Sequence, residues 1–402
     1  MDRLRKLFFL DEAILIPTGI QIIVISRMLW WCGWGFGEAL IPIFLLQFSH
    51  SFAETGLFKS VYDLTLLFSL PIIGVLADTA SARVLLIAAL PLYMLVGIGY
   101  YLAGITYLVF FILFARVANG IAYSIGSVGL GSYVRRTVGA AKAPHVFGFI
   151  DSMANVAWLS ALIAGMFLVR FLPVHLLLLM ITPGALIAMI PLFWLDSARP
   201  VASSENTTTR ENPYLALIRE IRSWNPNLRR IAALSFALAS ISTLCTFFLP
   251  IAAFERGSSL QEVIVMTILF TLPSVASWNI ANVLRRISRR YIVLSSFPLM
   301  AVLFALVAAL PFYHVEILCA LLIEIVIVGT NLTLQGYITA ECTSDHCGRV
   351  SSILEGIAAS ANVIVPIAAG VVADLAGFSG LFTIVAVLIF MMSWYAYTYR
   401  LA

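Results

Sequence analysis

Gly74-Val-Leu-Ala-Asp78-Thr-Ala-Ser-Ala-Arg83 leads directly into Val84-Leu-Leu-Ile-Ala-Ala-Leu-Pro-Leu-Tyr-Met-Leu-Val-Gly-Ile-Gly-Tyr-Tyr-Leu-Ala-Gly104. The second part is 21 residues without a charge. A helix needs about 20 such residues to cross the ~30 Å hydrocarbon core of a bilayer. Pro91 is no objection, because neighbouring helices can satisfy the backbone groups that a proline frees. The first part carries one acid and one base and reads as a short loop at the membrane surface.

Moving outward, the rest of the chain has the same character. Of its 402 residues, 61% are apolar and 11% charged, and the mean hydropathy is +1.01. A soluble domain carries about 25% charged residues. Such a composition excludes a cytosolic enzyme, a disordered chain and a nucleic-acid binder. The net charge of +4 says less than where the charges fall.

Twelve apolar segments are long enough to span: 20–46, 55–77, 84–104, 107–130, 147–169, 175–194, 231–253, 263–284, 291–312, 315–337, 350–373 and 380–399. Six precede and six follow a polar stretch that includes Ser203-Ser-Glu-Asn-Thr-Thr-Thr209. The expectation is an all-α membrane protein of twelve transmembrane helices in two pseudo-symmetric six-helix bundles, 1–195 and 231–402, joined by a cytoplasmic linker at 196–230. With the N-terminus inside and the spans alternating, nineteen Lys and Arg fall inside and two, Arg170 and Arg256, outside. Arg27, Lys59 and Arg116 fall within spans and complete the 24. That asymmetry supports N-in/C-in. Met1–Leu10 lacks a small-residue cleavage site, so the first span is expected to stay in the membrane.

The halves are weakly self-similar at an offset of about 204–208 residues. Val146-Phe-Gly-Phe-Ile-Asp151 continues to Ala154-Asn-Val156, and Val350-Ser-Ser-Ile-Leu-Glu355 continues to Ala361-Asn-Val363. Gly74, Asp78 and Arg83 match a G-x-x-x-D-R-x-G-R-[RK] loop pattern, with Thr79, Ser81 and Ala82 departing from it. Arg116-Val-Ala-Asn-Gly120 matches R-x-x-x-G.

With these motifs and this topology, the chain resembles the major facilitator superfamily of secondary transporters. The resemblance implies a solute cavity lined by spans 1, 4, 7 and 10, and alternating access between two bundles. It also implies a gate in which the acid matching Asp78 holds the start of span 11. The proline motif of the drug/proton antiporters is absent from span 5, where Ser160-Ala-Leu-Ile-Ala-Gly165 stands.

Ionisable residues inside spans are costly, and they mark function by default. Arg116 and Glu324 each lie nine residues into their spans, about 14 Å deep. They are expected to face the cavity and to compensate one another when it is empty; a fixed ion pair is the competing reading. Glu38 lies deep in span 1 within Trp34-Gly-Phe-Gly-Glu-Ala-Leu-Ile-Pro42, on nearly the same face as Arg27. Glu38 and Glu324 are the candidate proton-coupling acids. Arg116, Glu324, Glu38 and Trp34 are the candidate cavity residues. Lys59 and Asp63, spaced i, i+4, read as a structural pair. Asp151 and Glu355 sit about one turn into spans 5 and 11, where the helix dipole favours an acid. Both join Gly74, Asp78 and Arg83 as candidate gating residues.

Cys342 and Cys347 have loose spacing and no second ligand pair, and the five His are scattered, so no metal or other cofactor is expected. No P-loop, nucleophile elbow or H-E-x-x-H motif is present, which leaves ATP-driven transport and hydrolysis without support. The expected protein is a monomeric transporter, not an enzyme, in the plasma membrane or a bacterial inner membrane. Its partners would be a small-molecule substrate, protons and the lipid bilayer, with no nucleic acid. A uniporter and a non-transporting sensor or scaffold are the alternatives.

Overall fold

The protein is represented by a computed structural model that describes residues 17–138, 143–196, 219, 221–222, 224–284, 286–341 and 347–398. The described residues are helical throughout, with short turns between. The first half comprises α1 (Thr18–Gly35), a 3-10 turn (Glu38–Leu40), α2 (Ile41–Leu46), α3 (Phe52–Thr79), α4 (Ala82–Thr106), α5 (Val109–Val138), α6 (Ala143–Leu168), α7 (Val174–Leu179) and α8 (Ile181–Leu192). The second half comprises α9 (Pro226–Thr243), a π-helical turn (Leu244–Phe248), α10 (Leu249–Glu255), α11 (Leu260–Val275), α12 (Ser277–Leu284), α13 (Arg289–Ala309), α14 (Tyr313–Glu341) and α15 (Cys347–Thr398).

The polar residues between apolar runs set the helix ends. The Ser81 hydroxyl accepts the Val84 N–H and starts α4. Tyr107, at φ 58°, closes the same helix in the left-handed region, with its N–H on the Ala103 carbonyl. Asn225 caps α9 ahead of Pro226, and Ser259 with Glu262 forms a reciprocal capping box on α11.

Among the described residues, ten helical segments are long and apolar enough to cross a membrane. Two departures from the expected twelve have local causes. The 263–284 segment divides into α11 and α12 at Ala276, whose φ of −89° and ψ of 12° leave the helical region. The 350–373 and 380–399 segments run together as α15, whose 52 residues include a non-helical joint at Gly377. Gly377 has φ 69° and ψ 176°, a conformation that only glycine adopts readily. Side chains such as Ile72, Phe110, Val302 and Phe390 are each more than half exposed. An outward apolar surface of this kind suits lipid.

The chain forms two compact units: residues 1–39 with 68–207, and residues 40–67 with 208–402. Helix α3 therefore begins in the second unit and ends in the first. In the first unit, α4 packs along α5, while α1 lies against α6 and α8. Glycines permit the closest approaches. A Cβ on Gly33 would stand 2.9 Å from the Gly184 Cα, and one on Gly165 would stand 2.4 Å from the Phe36 carbonyl oxygen. In the second unit, α13 packs on α15 and α14, and α9 and α11 pack on α14. Buried hydroxyls bond between helices, as Thr330 does to Ser296 at 2.8 Å.

One local device recurs in both halves. In the first, α1 gives way to a 3-10 turn just before Ile41-Pro42-Ile43. In the second, α9 gives way to a π-helical turn just before Leu249-Pro250-Ile251. The two prolines stand 208 residues apart, inside the repeat offset. Such interruptions frequently mark functional sites.

Candidate functional site

Glu38 opens the 3-10 turn, so its side chain leaves the helical row that α1 sets up. It accepts the indole N–H of Trp158, on α6, at 2.6 Å. Glycine makes this contact possible. A Cβ on Gly35 would stand 2.4 Å from the Trp158 carbonyl oxygen and 2.8 Å from the Ala161 Cβ. With Gly35 on one helix and Gly165 on the other, α1 and α6 touch backbone to backbone beside Glu38. Arg116 lies within electrostatic range of the same carboxylate. It is 4% exposed and donates from Nη1 to the Tyr100 hydroxyl at 3.3 Å. Because α5 begins at Val109, Arg116 is seven residues in, about 10 Å from that end.

Trp34 is buried one turn before Glu38. It packs edge-on against Trp30 and Tyr93, with ring centroids 6.4 and 6.2 Å away. The buried indole N–H groups of Trp30, Trp31 and Trp34 find no acceptor among the described residues. Arg27 lies over the Trp30 ring, 4.9 Å from its centroid, and its Nη2 is 3.9 Å from Asp151. A small cavity of about 30 Å³ touches Arg27, Trp30, Tyr93 and Gly126. It has room for a water-sized occupant and not for an organic solute.

In the second unit, Glu324 is the central residue of the apolar segment Tyr313–Gln335. It is 7% exposed. Its Oε1 accepts the Ser274 hydroxyl at 2.7 Å, and its Oε2 has no hydrogen-bond partner among the described residues. Ser274 sits at the α11–α12 interruption, and Cys245, in the π-helical turn, is within electrostatic range of Glu324. Both acids, Glu38 half-buried and Glu324 buried, thus stand beside interrupted helices. In its own unit Arg116 bonds to Tyr100 and stands within electrostatic range of Glu38, and in its own unit Glu324 bonds to Ser274.

The other expected residues have plainer settings. Lys59 and Asp63 form the i, i+4 ion pair that their spacing predicts. Arg83 donates to the Phe193 carbonyl at 2.7 Å, where a cation complements the C-terminal end of α8. A Cβ on Gly74 would meet nothing within 4 Å, so local packing does not require glycine there. Asp151 is the ninth residue of α6, more than two turns in, because the helix starts at Ala143. The helix dipole fades within the first turn. The partner of Asp151 is Arg27 rather than a helix terminus. Glu355 is likewise the ninth residue of α15. The side chains of Asp78 and Glu355, the Cys342 loop and most of the 196–230 linker lie outside the described residues. Among the described residues, no group of three His, Cys, Asp or Glu could hold a metal.

Trp158, Tyr100 and Ser274 complete these sites, and none of them carries in the sequence a signal of the bond it makes. Trp158 reads as one aromatic among many, and Ser274 as one hydroxyl in an apolar run. Their roles depend on which helices pack together.

The fold has many solved counterparts. A mutant of the nucleoside transporter NupG superposes with a TM-score of 0.78 at 15% identity, covering 94% of this chain and 99% of that one. The human organic anion transporter MFSD10 (TETRAN) gives 0.67 at 17% identity, covering 95% and 100%. A POT family transporter in complex with a thioalcohol-conjugated peptide gives 0.76 at 12% identity, covering 95% and 96%. At such identities the likeness is one of fold. No curated protein matches the sequence significantly. The family profile described as Major Facilitator Superfamily matches residues 22–353, most of the chain. With its apolar helices and this match, the chain is a multi-pass integral membrane protein that belongs to the major facilitator superfamily.

Proposed function

We propose that this protein is a secondary active transporter that moves a small organic solute by alternating access and couples that movement to protons. In this reading it has twelve spans with both termini inside, and it works as a monomer in the plasma membrane or a bacterial inner membrane. It needs no enzymatic step or cofactor. The moving bodies are 1–195 and 231–402, joined by 196–230, with residues 40–67 held by the second body in the conformation described. Arg116, Glu38, Trp34 and Glu324 take part in the solute path. Gly74, Asp78, Arg83, Asp151 and Glu355 take part in gating.

The observation that carries the reading is the placement of two acids within spans, the half-buried Glu38 and the buried Glu324, each beside an interrupted helix in a chain of this family. Discontinuous helices are where transporters build their sites, and acids within spans mark ion and proton paths. The donors around Glu38 also bear on the solute. Arg116 and three buried indole N–H groups without acceptors favour a solute rich in hydrogen-bond acceptors, anionic or zwitterionic. The relatives of known structure are named for nucleosides, organic anions and peptides, which fits a polar organic solute.

A thermal-shift panel of such solutes on purified protein at two pH values identifies a ligand, because a compound that binds only the native state raises the melting temperature. Uptake of that ligand into proteoliposomes should then collapse when a protonophore is added. Uptake indifferent to the protonophore would remove proton coupling and favour a uniporter, and no uptake at all would favour a sensor or scaffold.

A further inference from the structure

We propose a division of labour between the two acids within the spans: Glu324, positioned by Ser274, binds and releases the proton, while Glu38, bonded to Trp158 with Arg116 within electrostatic range, stays anionic. The assignment rests on the reading of proton-coupled transport and sharpens it to one side chain.

The hydrogen bonds set the acids apart. An ionised carboxylate has two oxygens and about four acceptor sites to satisfy. Glu38 receives an indole N–H at 2.6 Å, the short distance of a charge-assisted bond, and a guanidinium stands within electrostatic range. That setting suits the anion. Glu324 receives one hydroxyl at Oε1, and its Oε2 has no hydrogen-bond partner among the described residues. A buried anion with one neutral donor and no cation among the described residues of its unit carries a heavy desolvation penalty. A proton on Oε2 removes the charge and leaves Oε1 as the carbonyl that Ser274 already serves.

Among the described residues of its own unit, the neighbours of Glu324 offer no competing charge at close range. The titratable group that faces it from the packed helices is Cys245. Arg229, Arg230, Glu255, Glu262, Arg289 and Arg290 stand in the first or last turns of α9, α10, α11 and α13. On α15, Asp374 is engaged by the backbone of Phe52 and Ala53.

Ser274 differs from the other hydroxyls of its helix. A hydroxyl within a helix commonly bonds back to the carbonyl four residues earlier, as Thr267 does to Val263 and Thr271 to Thr267. Ser274 follows Pro273 and turns its hydroxyl to Glu324. The chemical step is minimal. One O–H bond forms at Oε2 with a proton from one aqueous face and breaks toward the other, and nothing is oxidised or reduced.

Infrared difference spectroscopy of the purified protein in lipid, titrated with pH, reads protonation without any substrate. The wild type should show a buried protonated-carboxyl C=O band that titrates. Glu324→Gln should lose the band, and Glu38→Gln should keep it. Ser274→Ala, which keeps both acids, should move the band to higher frequency because its C=O loses a donor. A band that survives Glu324→Gln, disappears in Glu38→Gln, stays unmoved in Ser274→Ala or is missing from the wild type overturns the assignment. Protonophore-insensitive uptake with the band still assigned to Glu324 would instead overturn proton coupling alone.

Discussion

The carboxylate of Asp374 accepts the backbone N–H of Phe52 at 2.8 Å, joining residues 322 positions apart. Its other oxygen takes the Ala53 N–H at 3.0 Å, so one side chain of α15 caps the start of α3. Below the cap the two helices run in backbone contact. A Cβ on Gly370 would stand 2.3 Å from the Phe52 carbonyl oxygen, and one on Gly56 would stand 2.1 Å from that of Pro366. Further along, Ser60 donates to the Val363 carbonyl at 2.7 Å. The seam explains why residues 40–67 group with the second unit.

Removing the cap should weaken that seam by about 1 kcal/mol, the usual cost of losing a side-chain cap. Asp374→Ala is expected to lower the melting temperature of the purified protein. Asp374→Asn, which keeps one acceptor oxygen, should lie between it and wild type. Equal melting temperatures for Asp374→Ala and wild type would mean that the cap contributes nothing.

The bond between Trp158 and Glu38 makes a sharper prediction. Trp158→Phe keeps most of the ring volume and removes the donor, leaving a carboxylate oxygen without its partner. The expected cost is about 1–3 kcal/mol. In the Glu38→Gln background the same change should cost clearly less, because a neutral amide is cheaper to leave unpaired. A double-mutant cycle on melting temperature measures the difference as a coupling energy. Additive effects would show that the two side chains are neighbours without a functional bond.

The sequence displays what repeats or is rare. Uncharged runs such as 84–104 announce membrane spans, and Arg116, Glu38 and Glu324 stand out because charge is scarce there. The i, i+4 pair of Lys59 and Asp63 follows from helix geometry alone. What stayed hidden depends on packing. Gly35 and Gly165 are two of 25 glycines, and only the meeting of α1 with α6 makes them the reason Trp158 reaches Glu38. Apolar content cannot locate the break at Ala276, because both sides of it are equally hydrophobic. The macrodipole reading of Asp151 failed for a related reason. The helix starts earlier than the apolar run, and a dipole argument is sensitive to a shift of one turn.

The pair Lys59 and Asp63 tests whether a buried charge contact in α3 stabilises the fold or is merely tolerated by it. Asp63 is 2% exposed, and Lys59 is bonded to it within the same helix. Breaking such a pair from one side strands a charge away from water, at a cost of about 3–5 kcal/mol. Lys59→Met should therefore lower the melting temperature steeply, since it leaves Asp63 buried without its cation. Replacing both partners, as Lys59→Met with Asp63→Leu, removes the stranded charge and should recover much of that loss. Recovery would identify the contact as structural, with its two charges cancelling. If the double variant melts as low as Lys59→Met, Asp63 has work beyond neutralising Lys59, and its carboxylate belongs with Glu38 and Glu324 among the acids to be followed by infrared titration.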